Sequence, residues 1–193
     1  MSNYKIYNLL DLIDSVGEEK VQSILCDFYC PLNKEIENFA SRNAIDFSKK
    51  KISITYLIMD NDYNVVSLFT LAHKAIEVNC SCFSNTMKKK LKRYADSNGL
   101  DNSLSLSAFL IAQLGKNYRD NIKSLDGNRI MKAALSTLLK AQHLIGGGVV
   151  YVECENKEKL LNFYQSDENR FYKFGKRFSL KDNIEYTRLL KLI

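Results

Sequence analysis

The stretch from 149 to 164, VVYVECENKEKLLNFY, opens as an apolar, β-branched run and closes on two aromatics, Phe163 and Tyr164. It carries the residue types that acid–base chemistry needs. A phenol stays protonated near neutral pH and can donate a proton or a hydrogen bond to a departing group, whereas a carboxylate can accept a proton. Tyr164 is the candidate donor, and Glu153 and Glu155 are the candidate bases. Each has a second reading from pattern alone: ring packing at a helix end for Tyr164, one of 11 tyrosines, and surface or structural carboxylates for the two glutamates.

The other reactive side chains point elsewhere. Five cysteines at irregular spacing are not a disulfide framework, and Cys80–Cys82 and Cys26–Cys30 lack a partner pair at zinc spacing. They read as buried or strand-edge thiols, so no metal is expected. Of the two histidines, His73 follows a strand and His143 sits near a helix C-terminus, where a cation is favourable; neither is assigned to catalysis. The run Gly146-Gly147-Gly148 follows a helix and precedes a strand, the wrong order for a phosphate cradle, so it reads as a helix stop. The net charge of +6 is uneven: Lys88-Lys89-Lys90-Leu91-Lys92-Arg93 form one cluster, and Lys173, Lys176, Arg177 and Lys181 a looser one. This suits an anionic partner, and equally a solvated basic face.

The elements that position these residues alternate in period. The 193 residues, with one proline and no linker-like tract, are expected to form a single domain, 1–193. No signal peptide or membrane-spanning run is visible, which places the protein in the cytoplasm. Residues 4–13 mix a short strand signal with an apolar cluster, 18–26 read as a short helix, and Asn33 caps a helix running to about Ser48. ISITYLIMD (52–60) and VVSLFTLA (65–72, continuing towards Val78) read as a hairpin around 61–64. A short basic helix, Thr86 to Asp96 with Thr86 as cap, precedes a strand at 104–114. Gly127 opens an amphipathic helix, 149–154 is a buried strand, 158–164 a short helix, and 171–174 and 186–192 are terminal strands. Strand 104–114, helix 127–145 and strand 149–154 make a parallel βαβ unit, giving an α/β (α+β) domain with a mixed sheet.

In this order the segments resemble the GNAT superfamily of acyl-CoA N-acetyltransferases, and within it the bacterial toxin-like subgroup. Phe28-Tyr29-Cys30 with Phe39-Ala40 and Ala44 is similar to the subgroup's N-terminal helix pair. Ser53-Ile54-Thr55-Tyr56 with Leu68-Phe69-Thr70-Leu71-Ala72 is similar to its first long hairpin, and Phe163-Tyr164 to the helix that carries the family's Tyr. The resemblance covers nearly the whole chain. It implies a GNAT-like mixed central β-sheet flanked by helices, with splayed fourth and fifth strands between which the pantetheine arm of acetyl-CoA lies.

The resemblance also implies roles. Tyr164 would serve the leaving thiolate, and the backbone at Leu114, Gly115 and Lys116 would meet pantetheine and the thioester carbonyl, with Gly115 suited to a bulge or to ending the strand. The pyrophosphate would sit on the loop before the long helix, at Lys123, Leu125, Asp126, Gly127 and Asn128. The family pattern R/Q-x-x-G-x-G/A aligns with Gly127 but departs at Ile122 and Leu125, and Asp126 adds a negative charge that can instead cap the helix; Lys123 and Arg129 can compensate. Relatives carry Asn seven residues before the Tyr; here that position is Lys157, so Asn156, one residue earlier, is the cofactor contact implied. No carboxylate stands on strand 104–114, which offers Gln113. An α-amine, with a pKa near ~8 against ~10.4 for lysine, needs less help in losing its proton. The acceptor implied is therefore a primary amine such as the amino acid of aminoacyl-tRNA, with the 88–93 cluster on phosphates. A protein or small amine and a non-catalytic GNAT-fold binding module are the alternatives. An antitoxin protein and a homodimer are further partners that the subgroup implies.

Overall fold

Asp60 turns the chain back on itself by accepting hydrogen bonds at Oδ1 from the N–H groups of Asp62 (3.0 Å) and Asn64 (2.9 Å). The strands it joins are β2 (Ile54–Met59) and β3 (Val65–Asn79), paired antiparallel from Ile54↔Leu71 to Met59↔Val65. Residues 65–71 are all buried, as expected of a central strand covered on both faces. The two buried threonines that face each other, Thr55 and Thr70, satisfy one another at 2.9 Å.

The computed structural model describes residues 4–95, 103–120, 122–123, 125–180 and 183–193. Asp96, at the end of the expected basic helix, and Lys181, in the second basic cluster, lie outside these. Two compact units are formed, Met1–Ala72 with Ile111–Ser136, and His73–Leu110 with Thr137–Ile193.

In the first unit, β1 (Lys5–Asn8) pairs antiparallel with β2 and runs directly into α1 (Leu9–Val16), whose N-terminus Asn8 caps. α2 (Glu18–Cys26) follows Gly17, which takes φ +86°. The helix expected from Asn33 to Ser48 is two helices, α3 (Lys34–Arg42) and α4 (Ala44–Lys49), because the backbone leaves helical geometry at Asn43 (φ −121°). Leu9, Val21, Leu25, Ala40, Leu57 and Leu68 are core residues of this unit.

In the second unit, α5 (Asn85–Leu91) is capped by Ser84, whose Oγ accepts from Met87 N–H at 3.3 Å, and not by Thr86, which is already helical. β4 (Ser103–Lys116) and α6 (Gly127–Ile145) each belong to both units. α6 ends where Gly146 and Gly147 take positive φ, and the Gly146 N–H bonds the Gln142 carbonyl at 2.8 Å, so the glycine run is a helix stop. Then follow β5 (Val149–Glu155), α7 (Glu158–Gln165), β6 (Tyr172–Ser179) and β7 (Ile184–Leu192), the last two longer than their apolar patterns suggest. β7 lies between β5 and β6 and is antiparallel to both.

Among the described residues the strand order is β1-β2-β3-β4-β5-β7-β6, a mixed sheet. β4 and β5 are parallel, as the βαβ reading requires. Their pairing is confined to Phe109↔Val150 and Leu110↔Tyr151, although β4 runs on to Lys116 and β5 to Glu155. No helix among the described residues is long and apolar enough to cross a membrane.

Candidate functional site

Tyr164 stands in the last turn of α7, where the apolar residues of ENKEKLLNFY turn towards the sheet. It is buried, with its ring edge-on to Phe163 (5.0 Å) and Phe171 (5.7 Å), and its carbonyl accepts the Phe171 N–H at 2.9 Å. Among the described residues no hydrogen bond engages its hydroxyl. Burial, with a smaller contribution from the neighbouring Cys154 thiol, pushes the phenol far above its ordinary value. It stays protonated throughout the physiological range, so it can donate but cannot serve as a base. Cys154 is buried as well, and desolvation first, then Glu155, raises its thiol to about 11. A thiol held neutral is a packing residue, not a nucleophile.

The two candidate bases are engaged. Glu153 Oε2 lies 2.7 Å from Arg177 Nε, and its Oε1 lies 3.3 Å from Arg188 Nε. Strand register explains this, since Glu153 is directly opposite Arg188 on β7, and Arg188 is opposite Gly175 on β6. The Arg188 contact is an ion pair without a well-directed hydrogen bond, so its buried Nε has a charge partner but no aligned acceptor. The Arg188 guanidinium also lies over Phe174 (4.6 Å) and Tyr151 (5.8 Å). Glu155 pairs with Lys157 at 2.7 Å. Because side chains alternate along a strand, Glu153 and Glu155 project from the opposite face of β5 to Cys154, the neighbour of Tyr164. They are structural carboxylates. Asn156 accepts from Thr187 Oγ1 at 3.4 Å, which ties the start of the β5–α7 turn to β7.

Leu114, Gly115 and Lys116 are the last three residues of β4. Gly115 lies within β4, and its φ is not in the left-handed region, so no unusual backbone angle calls for glycine. Space does: a Cβ there would come within 2.7 Å of Ile36 Cγ2 and 3.2 Å of Phe28 Cζ. Directly after the strand, buried Asn117 makes a network that pattern reading missed. Its Oδ1 accepts from the N–H groups of Tyr29 and Arg119 (both 3.1 Å), and its Nδ2 donates to the Val65 carbonyl at 2.7 Å. Its backbone N–H donates to Val66 at 3.1 Å. Alongside, Cys30 N–H donates to Glu37 Oε2 (2.8 Å), and Lys34 pairs with Glu37 Oε1 (2.8 Å) and lies over the Tyr29 ring. The only sequence signal for this clamp is an asparagine directly after an apolar strand.

In the loop before α6, Leu125 is buried and anchors the turn, and Lys123 is exposed with its carbonyl accepting from the Tyr4 hydroxyl at 3.5 Å. Asp126 is the helix cap: Oδ1 accepts the Arg129 N–H at 2.9 Å, and Oδ2 lies 3.4 Å from Arg129 Nε. Gly127 and Asn128, both half-buried, begin the first turn of a 19-residue helix whose dipole favours an anion. The Asp126 carboxylate already occupies part of that field, with Arg129 offsetting it.

Leu114, Gly115, Lys116, Lys123, Leu125, Asp126, Gly127 and Asn128 belong to the first unit, and Asn156 and Tyr164 to the second. In the second unit α5 carries Lys88, Lys89 and Lys90, with Lys92 and Arg93 just beyond it, and none of these makes an ion pair among the described residues.

No protein-family model and no curated protein matches the sequence. Solved structures do match it in fold. A structure of AtaT complexed with acetyl-methionyl-tRNAfMet is 16% identical over 98% of this chain and 95% of its own, with a TM-score of 0.65. A tyrosine-to-phenylalanine mutant of the AtaT toxin, bound to acetyl-CoA and the C-terminus of the antitoxin AtaR, is 15% identical over 98% and 92%, with a TM-score of 0.62. A tyrosine-to-phenylalanine mutant of KacT is 14% identical over 100% and 95%, with a TM-score of 0.66. The chain has the fold of these GNAT toxin acetyltransferases.

Proposed function

We propose that this protein transfers an acetyl group from acetyl-CoA to a primary amine, and that the amine is the α-amino group of an aminoacyl-tRNA. The observation that carries the reading is the β4–β5 ladder stopping at Leu110↔Tyr151 while both strands continue, in a fold shared with toxins solved with acetyl-CoA and with acetyl-methionyl-tRNA. An unpaired strand edge offers backbone donors and acceptors to an extended amide chain such as pantetheine.

In this reading the neutral amine attacks the thioester carbonyl, and the oxyanion that forms is met by backbone N–H groups of Leu114–Lys116. The C–S bond breaks as the carbonyl reforms, and the thiolate takes a proton or a hydrogen bond from Tyr164. The proton shed by the amine leaves to water, which suits an α-amine of pKa near ~8. Asp126, Gly127 and Asn128 would border the pyrophosphate, and Lys123 and Arg129 would supply its positive field. Residues 1–193 are taken as a single GNAT-like domain that works in the cytoplasm. An antitoxin protein is the further partner in this reading, since AtaT has been solved bound to the antitoxin AtaR.

The Asp126 carboxylate at the start of α6 favours a second reading, a GNAT-fold binding module without turnover. Calorimetry with acetyl-CoA separates the two: micromolar binding supports the enzyme, and no detectable heat supports the module. Labelled acetyl-CoA with total charged tRNA then tests the acceptor, since label appearing only in protein rules out tRNA.

A further inference from the structure

A cavity of about 380 Å³ opens in the second unit between the start of α5 and β6, lined by Cys82, Phe83, Ser84, Thr86, Met87, Lys90 and Tyr172. Its size is that of a small-ligand site. The lining is chemically sorted. Phe83 and Met87 are apolar, Ser84 and Thr86 carry hydroxyls, and Lys90 brings a cation. Tyr172 is 52% exposed, although it opens a strand whose neighbouring ring, Phe174, is buried. Further cations lie close in the chain: Lys88, Lys89, Lys92 and Arg93, on α5 and its extension, make no ion pair among the described residues.

We propose that this cavity binds one nucleotide of a single-stranded RNA end, with the base stacked on Tyr172, the ribose against the Ser84 and Thr86 hydroxyls, and the phosphate on Lys90. An open aromatic ring beside an uncompensated cation is what a base and its phosphate require, and stacking accepts any base. An apolar peptide would leave Lys90 and its cationic neighbours unused. The inference rests on the aminoacyl-tRNA reading for its biological ligand, since a charged tRNA presents such a single-stranded end. It adds a subsite on a sheet face other than that of Tyr164, as Tyr172 lies level with Leu190 and Tyr151 in the strand register.

The probe is the RNA tetranucleotide ACCA with 2-aminopurine in its last position, titrated by fluorescence against the full chain. Tyr172→Ala should weaken binding about tenfold, and Tyr172→Phe should retain it, because stacking needs the ring and not the hydroxyl. Lys90→Ala should weaken it about threefold and flatten the salt dependence. Lys20→Ala, an equal loss of charge on α2, should change nothing. Equal affinity for wild type and Tyr172→Ala, or no binding of the tetranucleotide, would overturn the subsite. Binding with the predicted residue dependence but no acetyl transfer to charged tRNA would keep the subsite and overturn the acceptor. Acetylation of tRNA by Tyr172→Ala at unchanged KM would do the reverse.

Discussion

Asn117 Nδ2 donates to the Val65 carbonyl at 2.7 Å, joining the residue just after β4 to the first residue of β3. The same amide accepts from the backbone of Tyr29 and Arg119, so one buried side chain fixes both the approach of the Phe28–Cys30 loop and the end of the strand to which the thioester is assigned. Asn117→Ala should cost about 1–3 kcal/mol of stability, because it strands three backbone groups. In thermal and urea unfolding Asn117→Asp should recover less than half of that loss, since a carboxylate cannot donate to Val65.

Asp126 holds negative charge where a pyrophosphate is expected, and its capping bond to Arg129 N–H can be made by a neutral oxygen. Asp126→Ser should therefore tighten acetyl-CoA by about three- to tenfold at low salt while keeping the cap. Arg129→Ala should weaken acetyl-CoA. Calorimetry at two ionic strengths checks both, and the gain should shrink as salt rises.

Glu153 serves here as the anion between Arg177 and Arg188 and not as a base. Glu153→Gln should leave turnover within about threefold of wild type while lowering stability by about 1–3 kcal/mol, as two guanidinium groups lose their counter-charge. A loss of turnover by orders of magnitude with stability intact would return Glu153 to the chemistry.

Cys154 sets an alkaline limit. Its thiol is raised from 9.0 to about 11 in the folded chain, so between these pH values the unfolded chain sheds a proton that the folded chain keeps. Stability from this group is fully present below pH 9 and is lost as pH rises towards 11, by at most about 3 kcal/mol. Tyr164 acts in the same direction at still higher pH. Urea unfolding at pH 8 and pH 11 should show a steeper fall for wild type than for Cys154→Ala.

Much of this was legible in the sequence, for local reasons. The period change at Ile54, the turn residues at 61–64 and the glycine stop after α6 act on neighbouring residues, so pattern alone places them. The mixed order of helices and strands followed from the same cues, and it is in that order that the segments resemble the GNAT superfamily. What escaped pattern was fixed across the fold. The break at Asn43 splits what reads as one continuous amphipathic helix. Gly115 is required by Ile36 and Phe28, residues some 80 positions away, and not by its own backbone angles. Glu153 looked available until register set it against Arg188, and Asn117 carried no mark beyond its place after a strand. Asp126 was readable either as a cap or as an obstacle to phosphate, and its bond to Arg129 makes it the cap.

The central claim is that buried, protonated Tyr164 serves the departing thiolate during acetyl transfer to an aminoacyl-tRNA. Single-turnover transfer of label from acetyl-CoA to charged tRNA, with wild type and Tyr164→Phe measured beside each variant's acetyl-CoA affinity, tests it most directly. The account predicts label on the amino acid with wild type, and a fall of about 100-fold or more in transfer rate for Tyr164→Phe at unchanged acetyl-CoA Kd. Full transfer by Tyr164→Phe, or acetyl-CoA bound by wild type without label reaching the tRNA, would contradict it.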